Sequence, residues 1–268
     1  MGVEVCPLPT AILSTHTYEF TDYTLLDMTD EMPKIIEHWN KLGLEFDAVY
    51  SGYLSSGRQI DIIHDFMQSQ KKNGALCVVD PVLGDNALTD VKTVYSDRMT
   101  ELIDGMRRLC GIADVITPNL TEACLLLDRD YPRCTLSNAE IKDVLSALVH
   151  LGAKSAVITS IMDGEDSMCV AVYDGGEYYK IGCDYVKRPF HGTGDIFTSV
   201  LTGALLGGND MAKAANIAAD FVARAIELTA RHPEMPVRHG ALFEPVLQSG
   251  YFAPEKLGGI PERIEILK

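Results

Sequence analysis

Short apolar runs rich in β-branched residues alternate along this chain with longer stretches in which apolar positions recur every three or four residues. The first kind predicts strands at Val3–Leu13, Ala48–Ser51, Ala75–Asp80, Asp114–Thr117, Ser155–Ser160, Met168–Tyr173 and Glu177–Cys183. The second predicts helices at Met32–Leu42, Arg58–Lys72, Asp97–Leu109, Thr121–Leu127, Ala139–Leu151, Gly194–Leu206 and Asp210–Thr229. Asp174-Gly175-Gly176, between the last two strands, predicts a hairpin. This alternation implies an α/β fold: one domain over residues 1–268, with a doubly wound, mostly parallel sheet flanked by helices. Ligands of such sheets bind beyond the carboxyl ends of the strands, so the polar residues just after each strand bear on function. The tail Glu255–Lys268 has no assigned role; its Ile260, Ile264, Ile266 and Leu267 suit docking on the body and fraying equally.

Of the 268 residues 47% are hydrophobic and 23% charged, the balance of a chain with a packed core. Twenty-three Lys and Arg against 38 Asp and Glu give a net charge of −15, which argues against nucleic acid or an anionic membrane as partner. A polyanionic substrate would have to be held by local N–H groups and a metal. Seven cysteines with no C-x-x-C pair read as small buried hydrophobes of a reducing compartment. There is no basic-then-apolar leader and no run of 18 apolar residues, so a soluble, cytoplasmic protein is expected.

Chemistry concentrates after the strands. Phe190-His191-Gly192-Thr193-Gly194-Asp195 places a Gly-x-Gly turn and a carboxylate at the mouth of an apolar helix. Glycines let N–H groups converge on an anion, and the helix start adds unpaired donors and a positive dipole end. Asp195, in the first turn, would stay ionised there and be able to take a proton from an alcohol. The plain alternative is a loop-to-helix entry with an acidic residue. Asp80-Pro81-Val82-Leu83-Gly84-Asp85 offers two carboxylates able to hold Mg²⁺ through water, or else a turn residue and a cap. In Thr117-Pro118-Asn119-Leu120-Thr121-Glu122, Asn119 or Thr121 is suited to capping a helix. Thr159 and Ser160 end a buried strand with two hydroxyls suited to a phosphate or to the strand's own terminus.

Taken in order, Ser51-Gly52-Tyr53, the Asp80–Asp85 run, Thr117–Ala123, Ile158-Thr159-Ser160 and Gly192–Asp195 resemble the pyridoxal kinases of the ribokinase-like superfamily, over about Gly2 to Thr229. The D-P-V-L-G-D form and the His16-Thr17 pair point to the vitamin B6 branch. The resemblance implies ATP- and Mg²⁺-dependent phosphorylation of the 5′-hydroxymethyl of pyridoxal, and also of pyridoxamine or pyridoxine, by a homodimer; it leaves room for a monovalent cation. It makes Asp195 the catalytic base and Gly192, Thr193 and Gly194 the anion hole. Asp80 and Asp85 fall on the nucleotide and Mg²⁺ side, and Asn119 and Glu122 organise metal-bound water. Thr117, Thr159 and Ser160 touch phosphate, Thr17 reaches the pyridine edge and Tyr53 packs near the ring, although a core aromatic is the alternative for Tyr53. His16 reads as a substrate contact or a structural histidine.

Two other small-alcohol kinases compete. Hydroxymethylpyrimidine kinases resemble the same pattern but carry cysteine where this chain has Asp195, and the N-terminal third is poor in the convergent Asp and Asn of a sugar kinase. The family also opens with a strand, a substrate loop and a helix ahead of the stretch matching Gly2–Val5, and has Thr-Gly where Thr17-Tyr18 stands here. A start placed upstream restores that unit. A chain without it leaves a non-catalytic B6- or nucleotide-binding homologue as the alternative.

Overall fold

A computed structural model of the protein describes residues 1–17, 20–83, 97–132 and 134–268. Pro7 and Pro9 break the apolar run at the start of the chain, and a proline gives a ladder no donor. Regular strand therefore begins only beyond them, at β1 (Ala11–Leu13), which pairs antiparallel with β2 (Leu25–Asp27) in a two-stranded ribbon apart from the main sheet. The strand expected over Val3–Leu13 is corrected to these three residues.

The main sheet follows from three crossovers. After α1 (Met32–Leu42), strands β3 (Ala48–Ser51), β4 (Leu76–Val79), β5 (Val115–Ile116) and β6 (Ser155–Met162) lie side by side and parallel. They are joined by α2 (Gly57–Lys72), by α3 (Asp97–Cys110), and by α4 (Leu120–Leu127) with α5 (Asn138–Val149). A hairpin then adds β7 (Ser167–Asp174) and β8 (Glu177–Asp184) antiparallel, as the Asp-Gly-Gly turn predicts. Helices α6 (Thr193–Leu206) and α7 (Met211–Ala230) cross the sheet, followed by the short α8 (Glu244–Gln248) and α9 (Pro254–Leu257). The final strand β9 (Ile264–Ile266) pairs with β8. The tail is thus a sheet strand rather than a frayed end: Leu267 is buried, and Asn216 of α7 holds it by donating to the Pro261 carbonyl at 3.1 Å and accepting from the Arg263 N–H at 3.2 Å.

Both faces of the sheet are covered, which is why its strands read as continuous apolar runs. Cys77, Val79, Ile116, Ala156 and Ile158 pack toward α2–α5, while Val78, Val115 and Val157 pack toward α6 and α7. This is an α/β architecture, with four parallel strands extended by an antiparallel hairpin and a final edge strand. Two helix starts are closed by reciprocal capping boxes, Asn119 with Glu122 and Ser137 with Glu140. Among the described residues no helix is long and apolar enough to cross a membrane.

Candidate functional site

The carboxyl ends of β3–β6 and the start of α6 meet at one edge of the sheet. Gly192 caps α6 in a left-handed conformation, φ 81°, and has no side chain to satisfy the helix's first N–H groups. Thr193 closes the turn by donating its hydroxyl to the Phe190 carbonyl at 3.2 Å. Gly192, Gly194 and Asp195 are exposed, whereas Phe197, Thr198 and Leu201 one turn on are buried and anchor the helix. The site so formed is the end of a 14-residue helix, with its partial positive charge and a carboxylate facing outward. A second segment braces the turn: the Ala241 N–H donates to the His191 carbonyl at 3.2 Å.

Asp80 faces this helix start. It follows β4 and is nearly buried; its N–H donates to the Ser51 carbonyl at 2.9 Å, and its own carbonyl accepts from Val82 at 2.9 Å. Its Oδ2 lies 3.9 Å from the position a Cβ of residue 194 would take, so glycine leaves the gap between carboxylate and helix open. Glu122 is buried on the other side of the turn. One of its oxygens accepts from the Asn119 N–H at 2.8 Å and the other from the Leu83 N–H at 3.2 Å, while Asn119 Oδ1 accepts from the Glu122 N–H at 2.9 Å. Asn119 and Glu122 are therefore helix-capping residues, and Glu122 also fixes the far end of the Asp80 turn. Burial, and then the charges of Glu122 and Asp80, push the Cys110 thiol far above its ordinary value, so both carboxylates act on the same stretch of interior. Two such hard oxygen donors fit a divalent cation that keeps most of its water. Among the described residues no three His, Cys, Asp or Glu side chains converge as a cage, and Asp85 lies outside the described residues.

The remaining expected phosphate contacts divide. The register between β6 and β7 shifts between Ile158 and Ile161, so Thr159 and Ser160 sit in a bulge, both half-buried, with the Thr159 N–H donating to the Pro118 carbonyl at 3.0 Å. Bulges re-aim side chains at sheet edges. Thr117 is buried, and its hydroxyl is paired with that of Thr198 at 2.9 Å.

On the ribbon side, Tyr53 is 50% exposed and its carbonyl accepts from the Thr10 hydroxyl at 3.0 Å, so it is a surface aromatic and not a core one. Thr17 is exposed beside Tyr18 and Glu19, which lie outside the described residues. His16 contacts the Arg238 carbonyl through Nε2, packs edge-on to Phe20 at 5.1 Å, and has its ring 6.0 Å from that of His191. Arg238 in turn lies over Phe20 at 5.1 Å. His16 and Phe20 therefore rest on the segments that carry and brace the Gly192–Asp195 turn. Buried Gln59 holds the ribbon's base, donating to the Thr10 carbonyl at 2.8 Å and the Thr29 hydroxyl at 2.9 Å. Phe20, Gln59 and Arg238 escape sequence reasoning because no local period marks them; the one signal is an amide in the first turn of an otherwise apolar helix face.

A profile of the family described as phosphomethylpyrimidine kinase matches residues 1–241. A crystal structure of a putative phosphomethylpyrimidine kinase from Bacteroides thetaiotaomicron, described as an orthorhombic form with pyridoxal, is 40% identical with a TM-score of 0.86, covering 98% of this chain and 89% of that one. Pyridoxal kinase from Lactobacillus plantarum is 29% identical with a TM-score of 0.78, covering 91% and 84%. The thiamine biosynthetic bifunctional enzyme TH1 of Arabidopsis thaliana is 25% identical over 84% of this chain, which spans only 41% of that enzyme's length.

Proposed function

Since the chain belongs to the phosphomethylpyrimidine kinase family, we propose that it transfers the γ-phosphoryl group of ATP to the 5′-hydroxymethyl of pyridoxal, and also of pyridoxamine and pyridoxine, giving the 5′-phosphate. The observation that carries this reading is the uncapped start of α6, which presents Asp195 beside N–H donors and faces Asp80 across the gap left by Gly194. The same proposal takes residues 1–268 as one kinase domain, acting as a cytoplasmic homodimer.

In this reading Asp195 accepts the proton of the acceptor alcohol as its oxygen attacks, and the first-turn N–H groups at Gly192, Thr193 and Gly194 hold the oxygens of the phosphoryl in flight. Thr159 and Ser160, aimed by their bulge, hold the remaining phosphates. Thr17 and Tyr53, with His16 behind them, orient the heteroaromatic ring under the ribbon. Asp80, with Glu122 and Asp85 acting through water, would hold Mg²⁺, which neutralises phosphate charge when bound. Thr117 acts on phosphate only through Thr198, to which its hydroxyl is committed. Most of the rate in such a transfer comes from positioning and fixed electrostatics.

A second reading, a hydroxymethylpyrimidine kinase, is favoured by the description of the matched family. The carboxylate at Asp195 and the pyridoxal-containing relative favour the first. The test is ATP- and Mg²⁺-dependent phosphorylation of pyridoxal and of hydroxymethylpyrimidine by the purified chain, with Asp195→Asn as control. Turnover of pyridoxal that falls by about 10²–10⁴ in the variant, with ATP affinity held within a few-fold, supports the proposal. Turnover of the pyrimidine alone replaces it with the second reading. Binding of either compound without turnover makes the chain a non-catalytic homologue.

A further inference from the structure

Tyr50 belongs to β3, in register with Val78 of β4, and its ring packs under α6. The position that a Cβ of Gly52 would occupy lies 3.8 Å from the Tyr50 hydroxyl and 3.9 Å from Asp195 Oδ1. The missing side chain of Gly52 thus leaves a small space bordered by a phenol and by the proposed base. Burial, and then the charges of Asp80 and Asp195, raise the Tyr50 phenol far above its ordinary value, so it keeps its proton and remains a donor. The Thr198 hydroxyl faces it, itself paired at 2.9 Å with buried Thr117, so the donor is held from behind by a line of hydroxyls rooted in β5 and α6.

A donor and an acceptor bordering one space match a single chemical group, an alcohol, which gives one hydrogen bond and receives another. We propose that Tyr50 is a further substrate-contacting residue, whose hydroxyl donates to the oxygen of the acceptor alcohol while that alcohol gives its proton to Asp195. With both positions taken, the lone pair left on the oxygen is the one directed at the phosphoryl group. This selects a substrate with a free hydroxymethyl group at that place. It rests on the kinase reading above and adds to it the residue that recognises the reacting hydroxyl.

The test compares binding of pyridoxal and of its 5-deoxy analogue, which lacks only the reacting hydroxyl, to wild type, Tyr50→Phe and Thr198→Val by calorimetry in the presence of a non-hydrolysable ATP analogue. Tyr50→Phe is expected to weaken pyridoxal about tenfold, the worth of one hydrogen bond, and to leave the deoxy analogue unchanged. Thr198→Val is expected to weaken pyridoxal selectively, by less. Equal loss for both compounds, or no loss for either, overturns the inference while wild type still binds and phosphorylates pyridoxal. Failure of wild type to bind pyridoxal would instead overturn the functional reading from which the inference starts.

Discussion

Replacing Gly240 by alanine probes the brace behind the turn at the start of α6. Gly240 has φ 74° and ψ −167°, a combination open to glycine almost alone, and forcing another residue into it costs of order 1–3 kcal/mol. The added Cβ would also stand 3.1 Å from the His191 carbonyl oxygen. That carbonyl has to shift, and in shifting it weakens the 3.2 Å bond from the Ala241 N–H, worth about 1 kcal/mol. The total is about 2–4 kcal/mol of stability. Gly43 supplies the comparison: it is also left-handed, at φ 67° and ψ 32°, but nothing lies within 4 Å of its Cβ position, so Gly43→Ala carries only the cost of the conformation, about 1 kcal/mol. Equilibrium urea unfolding of both variants measures the difference. His191 immediately precedes Gly192, so Gly240→Ala is also expected to lower turnover of the folded enzyme, whereas Gly43→Ala leaves it unchanged. A Gly240→Ala protein no less stable than Gly43→Ala would refute the reasoning.

Two further outcomes are expected. Asp114 accepts from Lys154 at 2.7 Å, from the Cys77 N–H at 2.9 Å and from Lys71 at 3.1 Å; burial alone would raise its carboxyl, and these partners hold it below its ordinary value. Its contribution to stability is therefore complete above the unfolded value of about 3.9 and fades as pH falls through the lower folded value. Asp114→Asn should cost about 1–3 kcal/mol at pH 7 and flatten the acid limb of stability against pH in chemical unfolding. Burial pushes the thiols of Cys77 and Cys183 to about 11 and that of Cys169 to about 12, and raises Cys110 and Cys124 as well. Only exposed Cys6 and Cys134 should then react with a disulfide reagent at pH 8 in the native protein, against all seven after unfolding; a third fast thiol would contradict the packing.

Much of this protein follows from local pattern. The periods that mark strands and helices act within a dozen residues, so β3 to β8 and α1 to α7 stand within a few residues of where the sequence predicts them. The Gly-x-Gly-Asp helix start is likewise local, because a left-handed glycine and a first-turn carboxylate need no distant partner. Asn119 or Thr121 reads as a helix cap for the same reason, and Asn119 is the cap, with Glu122 as its reciprocal partner.

What depends on distant contacts was decided by tertiary structure. Residues 3–10 have strand-like composition, yet two prolines keep them out of the sheet, while the tail becomes a strand because β8 offers an edge and Asn216 holds it there. Burial on both faces also separates residues of similar type. Thr117 follows β5 and Thr159 lies within β6, but α6 covers the first and takes up its hydroxyl, whereas a register shift interrupts the β6–β7 ladder at the second. The convergence of Tyr50, Gly52, Asp80 and Asp195 on one edge spans more than 140 residues of chain. Periodicity carries no information across that distance; only the packing of α6 onto β3 and β4 brings those four together.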